Sequence, residues 1–448
     1  MIFSILNHWN LTKCSPLMQR MLSGAFSSSL AVFSSNISNL LTGIFLVHLL
    51  GKNIYGQYGM LRSTLNMFII FSSFSLGMTA TKYIAEFREQ DKEKVGKIIG
   101  LSVCCISFLA IVLFVACYLS ADYLAEYSLN SVALAPKLRI GAWMILFAVL
   151  NSIFTGIFSG FESFSVIAKI NIVGAIILLA GSFIGAKYWK IDGALIALSA
   201  YLAGMLILSV IFLHRELKRN NVSICFRKCF DEFSVLWRFS LPVVLGSILV
   251  TPVLWLGNSI LIKSPAGYAA MAGLDVINQW KTALIFIPSI IGRITLPILS
   301  NLKASDRTAD YFKAVKFNLL INSGITFLGA IVLSVFSKFI LSLYGHGFAE
   351  YIVSFCIVMF TTVLNAANGI VGQIILSQNL AWWGFLFNVL WAVLFLACIY
   401  GFIVIGNFGV LGIAFAFAIS YLGHTFWQFL FLYSIGKNKK YNLTMRLK

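Results

Sequence analysis

Charge is scarce in this chain. Of 448 residues only 11% are Asp, Glu, Lys or Arg, and the acidic ones number 15 against 33 basic. Soluble domains carry about 25% charge, so the scarcity excludes an ordinary water-soluble fold. Catalytic signatures are missing as well. There is no G-x-x-x-x-G-K-[ST] loop to cradle nucleotide phosphates, no H-E-x-x-H pair to hold zinc and no G-x-S-x-G elbow to expose a nucleophile. The chain is therefore not expected to be an enzyme, to hydrolyse ATP or to hold a cofactor or metal. Whatever it moves must be driven by a gradient, a potential or downstream consumption. Cys104, Cys105, Cys117, Cys356 and Cys398 lie in apolar stretches, where a thiol behaves as a small hydrophobe. Cys225 and Cys229 share one basic loop without a second ligand pair, so neither zinc nor a disulfide framework is implied. The first residues, MIFSILNHWNLTKCSPLMQR, lack a basic segment followed by an apolar core and a cleavage site. They are expected to be an uncleaved cytoplasmic lead-in.

What is abundant is apolar length. With 60% hydrophobic residues and a mean hydropathy of +0.91, the chain reads as an all-α integral membrane protein of about twelve transmembrane helices. The spans are drawn at about 24–50, 60–81, 98–119, 140–160, 166–186, 192–213, 240–262, 270–292, 318–341, 352–376, 383–404 and 408–433. A formal charge of +18 raises nucleic acid as a partner. The basic residues, however, sit in short loops between spans and not in a solvated patch, so no nucleic acid is expected. They are also unevenly divided. In this arrangement 24 of the 33 Lys and Arg residues fall on one side, among them Lys92, Lys218, Lys303 and Lys440. By the positive-inside bias that side is cytoplasmic, with both termini inside and Lys137 and Lys338 outside.

The longest basic linker separates six spans from six. The expected organisation is an N-terminal six-helix half at 1–213, a basic cytoplasmic linker at 214–239, a C-terminal half at 240–434 and a basic tail at 435–448. An even number of spans per half makes the halves parallel repeats. Gly56 to Met60 before span 2 matches the spacing of Gly267 to Met271 before span 8, and a charged loop follows each span.

The stretch from Tyr268 to Leu302, YAAMAGLDVINQWKTALIFIPSIIGRITLPILSNL, stands out because it carries Lys281 deep inside a span. At about 1.5 Å per residue the ammonium lies roughly 18 Å into a hydrocarbon core about 30 Å thick. Such a charge is costly unless it meets water or a partner. Asp275, Asn278 and Gln279 occupy neighbouring faces, while Asp275 and Lys281, six apart, cannot pair along the helix. Pro288 and Pro297 each remove a backbone donor and predict kinks or a helix end. Span 1 carries Ser29, Asn36, Asn39 and Gly43 in one stripe, and span 2 carries Arg62, Asn66 and Ser73. Asn and Ser stripes read as helix glue or as a cavity lining. Arg62 either lines that cavity or snorkels to the periplasmic surface. Asn258, Asn318, Asn322, Asn365, Asn368, Gln373, His424 and Gln428 read as glue.

Two segments carry a family resemblance. They are LLGKNIYGQYGMLRSTLNMFIIFSSFSLGMTATKYIAEFREQDKEKVGKIIG, from Leu49 to Gly100, and INQWKTALIFIPSIIGRITLPILSNL, from Ile277 to Leu302. With its leucine-glycine then tyrosine-glycine turn after span 1 and its paired prolines, the chain resembles the O-antigen and polysaccharide flippases. These form the polysaccharide transporter branch of the multidrug/oligosaccharidyl-lipid/polysaccharide exporter superfamily. The resemblance implies two six-helix bundles around a central cavity in the bacterial inner membrane. It also implies alternating access that carries an undecaprenyl-pyrophosphate-linked oligosaccharide from the cytoplasmic to the periplasmic leaflet, in O-antigen, lipopolysaccharide or related surface polysaccharide biosynthesis. The implied partners are that glycan, membrane lipids, and the polysaccharide polymerase and chain-length machinery. No substrate motif transfers residue by residue. From the residues themselves, Lys281 is the expected contact for the pyrophosphate, with Arg62 a second near the periplasmic mouth; Asp275, Asn278, Asn66 and Asn36 complete the candidate site. A multidrug or cation exporter of the same superfamily is the rival, but the first six spans place no carboxylate safely in the core. A non-transporting membrane assembly protein would leave the midplane lysine unexplained.

Overall fold

The computed structural model describes residues 16–72, 76–226, 229, 248–291, 308–378 and 380–437. Among these residues every regular element is helical. In hydrocarbon each backbone donor must be satisfied inside its own segment, which is why apolar runs of this length become helices. Nine helices among the described residues are long and apolar enough to cross a membrane, and one of them, Phe164–Asn220, holds two of the expected spans.

The first half contains α1 (Pro16–Leu50), α2 (Lys52–Ser72), α3 (Leu76–Phe87), α4 (Lys92–Leu119), α5 (Ala135–Gly160) and α6 (Phe164–Asn220). Gly51, at φ 79°, turns the chain between α1 and α2. The expected tyrosine-glycine turn is absent. Residues 55 and 56 lie within α2, and Gly56 serves close packing instead: a Cβ there would stand 1.8 Å from the carbonyl oxygen of Tyr268. Asp91 caps α4 by accepting from the Lys94 amide at 2.9 Å. Within α6 the helical path breaks at Trp189 and Lys190, the latter at φ 50°, between the two expected spans. Gly185 and Gly193 then bring the two arms together so closely that a Cβ on either would strike the other's carbonyl oxygen. The second arm stays helical to Asn220, beyond the expected end at 213.

The second half contains α7 (Val250–Ile262), α8 (Gly267–Leu284), α9 (Thr308–Val335), α10 (Ile352–Ser377), α11 (Ala381–Ile399) and α12 (Gly409–Lys437). The expected break in span 8 falls where proline chemistry requires it. α8 ends at Leu284, Ile285 is a turn, and a short helical stretch resumes at 286–291. Pro288 cannot donate to the Leu284 carbonyl and its ring crowds that group. Pro297, Ser73, Arg293, Lys303 and Lys440 lie outside the described residues.

Within each half, helices pack chiefly on their own neighbours: α1 against α6, α4 and α3 against α5, α9 against α10, and α12 against α10 and α11. The seam between halves is made by α2 lying against α7 and α8, with α8 also touching α1. Near Gly51 the seam is tied by a series of hydrogen bonds. His48 Nε2 meets the Leu343 carbonyl at 2.8 Å, Lys52 Nζ donates to Gly347 O at 2.7 Å and pairs with Glu350, and Ser259 Oγ donates to Ser128 O at 2.7 Å. The Tyr268 hydroxyl donates to Leu129 O. One step deeper, Asn258 Nδ2 donates to Ser63 Oγ at 2.9 Å and Trp255 Nε1 to Thr64 Oγ1 at 3.0 Å. The bundle is closed at the Gly51 end.

Candidate functional site

Beneath that closure lies a cavity of about 380 Å³. α1 lends Asn36, Asn39, Thr42 and Gly43 to its wall, and α2 lends Tyr55, Tyr58, Arg62 and Asn66. From α8 come Asn278, Gln279 and Thr282, spaced so that all three share one side of the helix. α1 rises toward Gly51 and α2 descends from it, so Asn36, Asn39 and Asn66 lie farther from the closed end than Tyr55 does. Asn39 and Asn66 are exposed within the bundle, as groups lining an aqueous space would be.

Tyr55, Arg62, Asp275 and Gln279 form the roof. Arg62 Nη2 donates to Asp275 Oδ1 at 2.6 Å. The Tyr55 hydroxyl donates to Oδ2 at 2.6 Å, and Gln279 Nε2 reaches both that hydroxyl, at 2.6 Å, and Oδ2, at 2.9 Å. Side-chain exposures of 24% for Arg62 and 8% for Asp275 show which member of the pair faces the cavity. Glycines make this approach possible. Gly59 lies against the Asp275 side chain, and any Cβ on Gly43 would occupy the space taken by the Gln279 amide. Two buried acceptors in the lining, Gln279 Oε1 and Thr42 Oγ1, have no hydrogen-bond partner among the described residues.

The structure thus brings four of the six predicted residues, Arg62, Asn278, Asn66 and Asn36, to the wall of one cavity, with a fifth, Asp275, buried behind Arg62. Arg62 does not snorkel to the surface; its guanidinium is turned inward to a carboxylate on the other half. Lys281 stands apart. Only two positions beyond Gln279, it points to the opposite side of α8, where its Nζ sits 4.4 Å from the centre of the Phe417 ring and 5.7 Å from that of Tyr421. Asp275 does not neutralise it, because the carboxylate is bound to Arg62, Tyr55 and Gln279. Tyr55, Tyr58 and Thr42 were not picked out from the sequence. Tyrosine and threonine near a span end have ordinary explanations, and only the fold turns these toward the cavity.

Among the residues read as glue, Asn368 Oδ1 accepts from Thr425 Oγ1 at 2.9 Å and Gln428 Nε2 lies 3.0 Å from His424 Nε2. Both contacts stay within the second half.

Comparison with known proteins gives three kinds of match. A family profile described as polysaccharide biosynthesis protein matches residues 21–303. The EPS I polysaccharide export inner membrane protein EpsE of Ralstonia nicotianae is 22% identical over 372 residues, 83% of this chain and 84% of that protein. A multidrug resistance MATE family transporter of the MOP superfamily in an inward-facing conformation aligns with a TM-score of 0.77 at 16% identity, covering 90% of this chain and 96% of that one. An outward-facing structure with the same family description aligns with a TM-score of 0.71 at 16% identity, covering 94% and 96%. These likenesses establish the fold: membrane helices in two six-helix bundles around a central cavity.

Proposed function

Since the chain belongs to the polysaccharide biosynthesis protein family, we propose that it is a polysaccharide exporter of the inner membrane whose cargo is an oligosaccharide linked to undecaprenyl pyrophosphate. The observation that carries this reading is the cavity at the seam, where a guanidinium is surrounded by the amides of Asn36, Asn39, Asn66, Asn278 and Gln279. A guanidinium that faces such a cavity suits phosphate, to which it can offer paired donors. The amides and the unpartnered oxygens of Gln279 and Thr42 suit hydroxyl-rich sugar. At about 380 Å³ the cavity falls within the range of about 300–1,000 Å³ usual for small-molecule sites. It has room for the pyrophosphate end of the headgroup, with the polyprenyl chain left in lipid.

In this reading the Gly51 end is extracytoplasmic and both termini are cytoplasmic, as the basic asymmetry requires. The headgroup enters from the cytoplasmic side, and alternating access opens the seam at the Gly51 end to release it. Lys281 is a further cationic contact, reached from the second half when the bundles rock. The membrane potential assists, since each negative charge leaving an inside-negative cell gains about 2.3 kcal/mol per 100 mV. A multidrug or cation exporter fits less well, because Asp275, the carboxylate at the cavity roof, is already bound to Arg62.

Deletion of the gene tests the reading. Surface polysaccharide should be lost while lipid-linked repeat units accumulate on the cytoplasmic leaflet, with drug susceptibility unchanged. Unchanged glycolipid intermediates together with new drug sensitivity would refute it.

A further inference from the structure

Asp275 holds the position at Arg62 that an incoming anion must take. Its Oδ1 accepts from the guanidinium and its Oδ2 from Tyr55 and Gln279. All three partners line the cavity, whereas Asp275 lies behind them, 6% exposed. Arg62 belongs to α2 and Asp275 to α8, so the same ion pair occupies the anion site and ties the two halves together. We infer that Asp275 is a specificity-determining residue, an internal counter-ion that the headgroup displaces from Arg62, so that binding and release of the seam are one event. This inference rests on the reading of Arg62 as a headgroup contact.

The physical argument is one of exchange. A guanidinium has five donors, and the contact to Asp275 runs from Nη2. Phosphate oxygens entering from the cavity can therefore engage the remaining donors before the carboxylate leaves, and the buried cation is never bare. Displacing a carboxylate that also accepts from Tyr55 and Gln279 requires a ligand with more charge and more acceptor oxygens than the carboxylate itself. A diphosphate meets that requirement. A monophosphate exceeds the carboxylate by a smaller margin, and a neutral glycolipid does not exceed it at all. Once Oδ1 is displaced, α2 and α8 lose their ion pair, leaving the hydrogen bonds of Tyr55 with Asp275 and of Asn258 with Ser63, and the outer contacts of Lys52, His48 and Tyr268, to hold the closed end.

The test uses the purified full-length protein and two soluble probes, farnesyl diphosphate and farnesyl monophosphate, with binding followed by isothermal titration calorimetry. Asp275→Asn keeps the shape and removes the competing charge, so it should bind the diphosphate at least about tenfold tighter than wild type, while Arg62→Gln should bind it at least about tenfold more weakly. In parallel, Ser63→Cys with Asn258→Cys, in a chain whose native cysteines are replaced and whose Asp275 is intact, reports the seam by disulfide formation. The diphosphate should lower that cross-linking severalfold, and the monophosphate at equal concentration should lower it less. Diphosphate binding that depends on Arg62 yet neither tightens in Asp275→Asn nor lowers the cross-link overturns the counter-ion role and leaves the proposed function standing. Should Asp275→Asn fail to fold, an unchanged cross-link with the diphosphate bound overturns the role by itself. Wild-type protein that binds neither probe, or binds the diphosphate equally well without Arg62, overturns both.

Discussion

Arg62 and Asp275 are 213 positions apart in the chain and 2.6 Å apart across the seam. Beside it the contacts of Ser63 with Asn258 and of Thr64 with Trp255 join neutral groups across the same seam, whereas this one joins full charges. Removing one partner of a buried ion pair leaves the other uncompensated, at a cost of about 3–5 kcal/mol. Arg62→Ala and Asp275→Ala are each expected to lower membrane abundance and thermal stability. The apolar pair Arg62→Met with Asp275→Leu is expected to recover stability without recovering export. Thermal unfolding in detergent and surface polysaccharide at matched abundance separate the two effects. Export by the apolar pair would show the guanidinium to be structural only.

At Gly56 α2 meets α8 with no room for a Cβ beside the Tyr268 carbonyl. Gly56→Ala should therefore wedge the closed end open, raising labelling of a single cysteine at position 63 by an impermeant maleimide and lowering export severalfold. Gly369→Ala, where a Cβ meets open space, provides the matched control and should be silent. Equal labelling in the two variants would mean that the seam absorbs the added methyl.

Lys281 rests on Phe417 and Tyr421. If its charge contacts cargo during the cycle, Lys281→Arg should retain most export, Lys281→Ala should lose much and Lys281→Glu most, while Phe417→Leu should be tolerated. If the ammonium serves only to pack α8 on α12, Phe417→Leu should be as damaging as Lys281→Ala. Surface polysaccharide measured at matched protein abundance distinguishes these patterns.

Sidedness is checked by single cysteines. Positions 137 and 338 should react with an impermeant reagent in intact cells, and positions 92 and 218 only after permeabilisation. The same experiment extends to positions 303 and 440, which lie outside the described residues. Labelling of position 92 in intact cells would invert the orientation.

Much of the architecture is legible along the chain because it depends on local rules. A run of apolar residues in lipid must be helical to satisfy its backbone. Pro288 must interrupt α8, and the polar stretch that holds Lys187 and Lys190 must divide α6. Polar stripes on spans 1, 2 and 8 also mark the helices that give the cavity its polar wall, since a buried amide or guanidinium must meet either another helix or an aqueous space. What stands opposite each stripe was decided only by tertiary packing. Helices in lipid have no hydrophobic driving force to pair one way over another, so shape and small residues choose the partner. Gly43, which read as part of a polar stripe, Gly56, which read as a turn, and Gly59 proved to be positions that let α8 approach α1 and α2. That approach delivers Asp275 to Arg62 and, through the angular step of about 100° per residue, turns Gln279 into the cavity and Lys281 away from it toward Phe417.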